Sequence, residues 1–330
     1  MKWEILNSNE FVHWQDDWQK LNNQLTKLPV LNAAFIQSCL TYFADGSEKL
    51  AIAKVDNQVI AMTFIKPNGF LSWETFQPSQ APVGLWLCPN DQQLTALKSL
   101  IKALPSFVLK LDVLHQDPAI FPPLKDKKIA IKDYIETGKL VFDQDFKDYF
   151  ANLGKNQRQN YNKAHNRLKK QDIKVQLVIE TEPETMHESI KQYGELESKS
   201  WKNELGTAIH IDNEQGQFFN EIMQDLATQK NAEVWKYYYD EKLVAVDLCV
   251  KNSELIIILK TTFDSEFSRY APAICMKLDA LKNLFDQKPV GRIEFFGKML
   301  EWHKRIKSEP RTLYHYSYFR FAWIGLLKKS

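Results

Sequence analysis

The chain has 330 residues, of which 44% are hydrophobic and 25% charged, with a formal net charge of +2. That length favours two domains over one, and the composition is that of a globular protein with an ample core. So small a net charge excludes a whole-molecule attraction to polyanions, and any contact with nucleic acid or a membrane has to come from a local patch.

The N-terminal MKWEILNSNEF lacks the basic start and apolar core of a signal peptide. No apolar run approaches the ~20 residues needed to cross a bilayer. Cys39, Cys88, Cys249 and Cys275 are far apart, each in an apolar run. That spacing fits neither a zinc site nor a disulfide framework, so no metal is expected, and a reducing cytoplasm is the expected compartment.

In chain order, a strand is predicted near Trp3 to Leu6, then helices in VHWQDDWQKLNNQL and AAFIQSCLTYF. KLAIAKV and VIAMTFIKP read as a hairpin turning at Asp56-Asn57, since both runs are strand-like and the turn residues tolerate a left-handed backbone. DQQLTALKSLIKAL is helical, with Asp91 at its start, and FVLKLDVL is a strand. HQDPAIFPPLKDKK, rich in proline and charge, reads as the linker, and the domain boundary is placed at 140/141.

A basic helix, FKDYFANLGKNQRQNYNKAHNRLKKQ, opens the second half, followed by strand IKVQLVIET. Two helices follow, ETMHESIKQYGELESKSW and NEQGQFFNEIMQDLATQK, then strands AEVWKYYY, LVAVDLCVKN and LIIILKTTF, with a turn at Asp240-Glu241. SRYAPAICMKLDAL is a short polar loop entering a helix; strand RIEFFGK, helix LEWHKRIKS and strand TLYHYSYFRF complete the chain. This order implies an α/β (α+β) fold with a mixed sheet and helices packed on it. The hairpins KVDNQVIAMTF and YYDEKLVAVDL align without a gap, Asp56 with Asp240 and Ala61 with Ala245. The chain therefore reads as two copies of one fold. Thr63 of the first copy faces Asp247 of the second, and an acid at an otherwise apolar strand position marks the second copy as the active one.

Three features carry a family resemblance: the NRLKK end of the basic helix, the ESKSWK segment, and the run from TTFDSEFSRYAPA to EFFGKMLEWHK. Together they resemble the GNAT acyl-CoA N-acyltransferase fold, and more narrowly the double-GNAT group of CelD-type (BioF2-like) acetyltransferases and Fem peptidyltransferases. The resemblance implies two tandem GNAT-like domains, a degenerate one over 1–140 and an acyltransferase over 141–330. It implies acetyl-CoA or another acyl-CoA as cofactor. It also implies that the loop after LIIILKTTF binds the pyrophosphate, although Ala271, Pro272 and Ala273 stand where the family carries glycine. Expected cofactor contacts are Arg269, Tyr270, Ala271, Ala273, Ile274 and Lys304, with the first-turn amides of Ala273, Ile274 and Cys275 aimed at phosphate. A backbone N–H among Lys260, Thr261 and Thr262 is expected to polarise the thioester.

For the chemistry, direct attack by an amine in a ternary complex needs no covalent enzyme intermediate. Asp247 is the first candidate for general base, with His210 and Glu204 as others; the alternative for Asp247 is a structural aspartate, and for His210 an exposed loop residue. Tyr316, which alternates with Tyr314 and Tyr318 along one strand face, is the candidate proton donor to the thiolate, or else core. Trp201, Lys202 and Trp302 are expected to line the acceptor pocket. From Lys147 to Lys170 there are seven Lys/Arg against one acid, Asp148. This suits tRNA, and a Fem-like aminoacyl transfer is the second reading, with a non-catalytic binding module the third. FRFAWIGLLKKS offers aromatics and lysines for peripheral membrane contact, or packs on the second domain.

Overall fold

The structure, a computed structural model, describes residues 1–199 and 209–327. Contacts divide the chain into two units, 1–137 with 311–330, and 138–310. The boundary at 140/141 expected from the sequence kept 311–330 with the second domain, whereas those residues lie with the first unit.

The first unit is built on β1 (Lys2–Asn7), α1 (Gln15–Leu25), α2 (Ala33–Phe43), β2 (Lys49–Val55), β3 (Gln58–Pro67), β4 (Ser72–Thr75), β5 (Trp86–Leu87), α3 (Gln93–Ala103) and β6 (Lys110–Gln116). A long strand, β7 (Ile129–Val141), runs through the boundary into the second unit. The second unit follows with α4 (Phe146–Asn152), α5 (Lys155–Lys170), β8 (Val175–Glu180), α6 (Pro183–Ser198), α7 (Glu214–Thr228), β9 (Ala232–Tyr239), β10 (Lys242–Lys251), β11 (Leu255–Phe263), α8 (Pro272–Gln287), β12 (Arg292–Glu294) and α9 (Glu301–Arg305). Strand β13 (Glu309–Phe319) and α10 (Ala322–Leu327) close the chain.

The hairpins form as turn chemistry dictates. Asp56 and Asn57 both take positive φ, 48° and 63°, as a two-residue turn requires, and Asp240 takes φ 53° in the second copy. The Asp240 carboxylate also accepts the Lys174 N–H at 2.8 Å, fixing the turn against the start of β8. The basic helix expected as one piece is two. Leu153, buried and extended at ψ 152°, breaks it, and Gly154 caps the start of α5.

Pairing shows the duplication directly. In the first unit the order is β1-β2-β3-β4-β6-β13, antiparallel except for the parallel β4–β6 pair joined through α3. In the second it is β8-β9-β10-β11-β12-β7, antiparallel except for the parallel β11–β12 pair joined through α8. Each unit takes as its sixth strand the one that chain order would assign to the other. The β13 strand pairs with β6, with Tyr318 opposite Leu111, and the end of β7 pairs with β12, with Leu140 opposite Ile293.

Each unit has its own core. Trp86, Leu97, Leu100, Val113, Tyr314 and Tyr316 belong to the first, and Trp235, Tyr237, Met276, Leu281, Phe285 and Ile293 to the second. The proline-rich segment read as a linker is held inside the first unit. Arg311 grips both oxygens of Asp117, at 2.9 and 3.0 Å from Nε and 2.7 Å from Nη2, and Tyr314 donates to the Phe121 carbonyl at 2.7 Å.

Candidate functional site

The site begins with a defect in the sheet of the second unit. Leu248 of β10 faces Lys260 of β11 while Cys249 faces Ile258, so Leu259 is an extra residue and β11 bulges just before Lys260. On its other side β11 pairs with β12 at only three positions, the last being Ile257 with Glu294. Just past β12, Phe296 takes φ 50° and turns the chain away. From Ile258 onward that edge of β11 has no strand partner among the described residues. Two parallel strands thus part at their carboxyl ends, the place where open α/β sheets hold ligands.

The loop from β11 to α8 stands at the end of this opening. Asp264 accepts the Glu266 N–H at 3.0 Å, starting a 3-10 turn over Ser265–Tyr270, and Lys242 lies 3.2 Å from its other oxygen. Ala271 then adopts φ 49° and ψ 53°, the left-handed conformation that glycine usually supplies, and Pro272 opens the helix. The Ala271 carbonyl accepts N–H groups from Ile274 at 3.1 Å and Cys275 at 3.0 Å. Of the three first-turn amides expected to face phosphate, two are therefore engaged, which leaves that of Ala273. Arg269 is exposed, its guanidinium 4.6 Å from the Tyr270 ring, and the buried Tyr270 donates to Gln171 at 2.7 Å. This bond brings the last turn of α5, with Arg167, Lys169 and Lys170, beside the loop. The basic helix and the loop, separate features in the sequence, meet here.

Asp247 is fully buried, and it is not alone. Lys277 of α8 places Nζ 2.9 Å from Oδ1 and 2.8 Å from Oδ2, so one ammonium straddles the carboxylate, and it also lies 3.2 Å from Thr261 Oγ1. Lys277 Nζ sits 4.8 Å from the Trp302 ring, which stacks on His303 at 3.5 Å. His303 accepts the Leu300 N–H on Nδ1 at 2.9 Å, which leaves the proton of its neutral form on Nε2. Burial, and then the charge of Lys277, push its pKa down to about 4. The expected lone strand acid is thus half of a buried ion pair, and Lys277 is the residue that sequence reasoning missed. A signal was there: a lysine in the apolar arc ICMKL, where a buried carboxylate needs a cation.

A second buried acid, Glu197, accepts from Tyr193 at 3.0 Å and from the Ile209 N–H at 2.7 Å. It ties α6 to the residues that lead into α7, and burial and then the Glu197 charge hold the Tyr193 phenol well above its usual range. A side chain at Gly194 would come 2.8 Å from the Ile209 carbonyl, so the approach of these segments demands glycine there. His210 follows, exposed, with Nδ1 3.3 Å from Asp212.

The remaining candidates divide. Thr261 joins the Asp247 group, Thr262 is buried, and Lys260 lies over Phe219 of α7 at 5.5 Å. Trp302 covers Lys277. Lys304 is exposed and pairs with Glu301 at 3.2 Å, so it stands on the solvent side of α9. Tyr316 is buried in the core of the first unit, 3.5 Å from Gln93, because its strand is the exchanged one. It does not join the Asp247 group of the second unit. Trp201, Lys202 and Glu204 lie outside the described residues.

Residues 155–305 match a family described as an acetyltransferase (GNAT) domain. The fold is similar to that of the C-terminal DUF2156 domain of a protein assigned as a lysylphosphatidylglycerol synthetase from Agrobacterium fabrum, with TM-score 0.57, 9% identity, and coverage of 95% of this chain and 94% of that one. It is also similar to FemX, with TM-score 0.57, 11% identity and coverage of 86% and 90%. A third is L-PGS from Bacillus licheniformis, at 0.54, 12%, 95% and 95%. Identities this low carry the fold alone. No curated protein matches the chain in sequence. The parted strands and the loop beside them fall within the matched residues, so the second unit carries the match to an acetyltransferase (GNAT) domain, and the first unit repeats its strand order, which gives the chain a double-GNAT fold.

Proposed function

We propose that the chain is an acyl-CoA-dependent N-acyltransferase that passes an acyl group, acetyl in the simplest case, to an amine of a small molecule, an amino sugar or a cell-envelope precursor. The observation that carries this reading is the opening between β11 and β12 with the left-handed Ala271 turn at its end. The loop fits the cofactor in one testable respect: its backbone takes the conformation that the missing glycine would have supplied.

When bound, the cofactor supplies an acyl group activated as a thioester. Around it, the Ala273 N–H, Arg269 and the basic end of α5 hold the phosphates. Of the β11 amides past the bulge, from Lys260 to Thr262, those on the unpaired edge polarise the carbonyl. The Asp247–Lys277 pair fixes Thr261, and with it the direction of those amides, and Trp302 keeps water from the pair. On this reading Asp247 acts through Lys277, and His210, whose Nδ1 faces Asp212, takes the proton from the attacking amine. The acceptor pocket is assigned to Trp302 with Trp201 and Lys202.

Thermal unfolding in the presence of an acyl-CoA panel tests the proposal. A ligand at a hundredfold excess over Kd stabilises the folded state by about 2.7 kcal/mol. Arg269→Ala is expected to remove most of the shift, and the absence of a shift with every acyl-CoA overturns the reading. The basic last turn of α5 favours a second reading, aminoacyl transfer from tRNA. Under that reading tRNA binds with a steep salt dependence and acyl-CoA gives no shift.

A further inference from the structure

The parallel strands of the first unit part as those of the second do, so an opening is due there as well. β4 pairs with β6 at three positions, the last being Glu74 with Asp112, just as β11 leaves β12 after Ile257 with Glu294. The aligned hairpins carry the comparison along the strand. Ile65 stands opposite Thr75 and Thr63 opposite Trp86; their counterparts, Cys249 and Asp247, stand opposite Ile258 and Thr261. Two residues separate Ile258 from Thr261, where β11 bulges, whereas ten, 76–85, separate Thr75 from Trp86. A bulge in one copy is an excursion in the other.

That excursion turns back into the opening. The Gly84 N–H donates to the His115 carbonyl at 2.8 Å and the Leu114 N–H to Thr75 Oγ1 at 3.0 Å, so β6 beyond Asp112 is engaged by the chain itself. Thr63, at the position of Asp247, donates to the Leu85 carbonyl at 2.7 Å. Gln77 Nε2 donates to the carbonyls of Ala81 at 2.6 Å and Val83 at 3.1 Å, which folds the excursion on itself. Phe76, Ala81, Val83 and Leu85 are buried. A Cβ at Gly84 would overlap the Leu114 carbonyl and the Gln116 side-chain amide, so the segment and β6 approach too closely to admit anything between them. The loop entering α3 differs in charge as well. From Phe76 to Leu97 there is no lysine or arginine, and the one charged residue is Asp91, in the 3-10 turn Asn90–Gln92 just before α3. A phosphate would meet a carboxylate in the loop that carries Arg269 in the second unit.

We infer that residues 76–85 are a built-in occupant of the first unit's opening, so that the chain takes one acyl-CoA, in the second unit, while the first copy is held shut by its own strand. The place assigned to the cofactor rests on the acyl-transfer reading; the closure does not.

Amide hydrogen exchange of the full chain, alone and with coenzyme A, tests both parts, together with a calorimetric titration of stoichiometry. Without ligand, the Gly84 and Leu114 amides are expected to exchange at least about a thousandfold more slowly than in unstructured chain. Exchange near the unstructured rate would mean that the excursion opens freely, and overturns the inference. Gly84→Ala is expected to speed exchange at Leu114 at least about tenfold, and unchanged exchange in that variant counts equally against it. With coenzyme A, one equivalent is expected to bind, with new protection in 258–275 and none in 76–92. Two equivalents per chain, or protection in 76–92, overturn the inference. Absence of binding anywhere sinks the acyl-transfer reading instead, and the Gly84 and Leu114 amides then still decide whether the first opening is shut.

Discussion

At the residue scale, the Asp247–Lys277 pair sets the terms of the site. Two charges buried together are tolerable because each satisfies the other, but removing one leaves the partner without compensation. Lys277→Met is therefore expected to cost about 3–5 kcal/mol in denaturant unfolding, whereas Asp247→Leu/Lys277→Met costs far less. Equal losses for the single and double variants would mean that the pair is not coupled. His303 adds a pH dependence. Folded, it gains its proton only below about pH 4, while the unfolded imidazole does so near its ordinary ~6.5. Between those values the unfolded chain holds more protons, so stability rises with pH through the window, is complete above it and is lost on acidification. His303→Gln is expected to flatten the slope of the urea midpoint between about pH 4 and 6.5. Of this group the sequence disclosed Asp247, because an acid in an apolar strand is conspicuous. Its partner comes from a helix 30 positions later, and no local pattern records which cation a buried acid will meet.

At the scale of elements, the loop before α8 answers the question posed by its missing glycine. Left-handed backbone costs a non-glycine residue about 1–2 kcal/mol, and the rest of the loop imposes it on Ala271. Ala271→Gly relieves that strain against a smaller entropic cost, and is expected to raise stability by up to about 1 kcal/mol while keeping the acyl-CoA shift. Ala271→Val is expected to lower both; a valine variant as stable as the parent would show that the turn is not held in this conformation. The hairpins, most helices and the strands of strongest alternation were legible because pattern and turn chemistry agreed at each. The strand β7 was not. It carries Lys132, Asp133 and Glu136, with residues 131–134 and 136 exposed, and only its last part, paired with β12, has the buried residues that announce a strand. A strand that turns little of itself to a core leaves almost no mark in the sequence.

At the scale of the whole molecule, the duplication was readable from element order but the exchange of sixth strands was not, since TLYHYSYFRF looks equally good against either sheet. The exchange has a measurable outcome. The β13 strand contributes Leu313, Tyr314, Tyr316, Tyr318 and Phe319 to buried positions of the first unit. Those five side chains are worth roughly 10 kcal/mol of burial, comparable to the whole stability of a domain. A chain ending at Pro310 is therefore expected to lose the calorimetric transition of the first unit, although every residue removed lies at the far end of the sequence; an unchanged transition would contradict the pairing. The same feature orders events at the ribosome. The His115 N–H finds its acceptor, His315 Nδ1, 200 positions downstream, so the unit that is made first closes last. Its β6 edge waits, unpaired and open to misassembly, until β13 has been made.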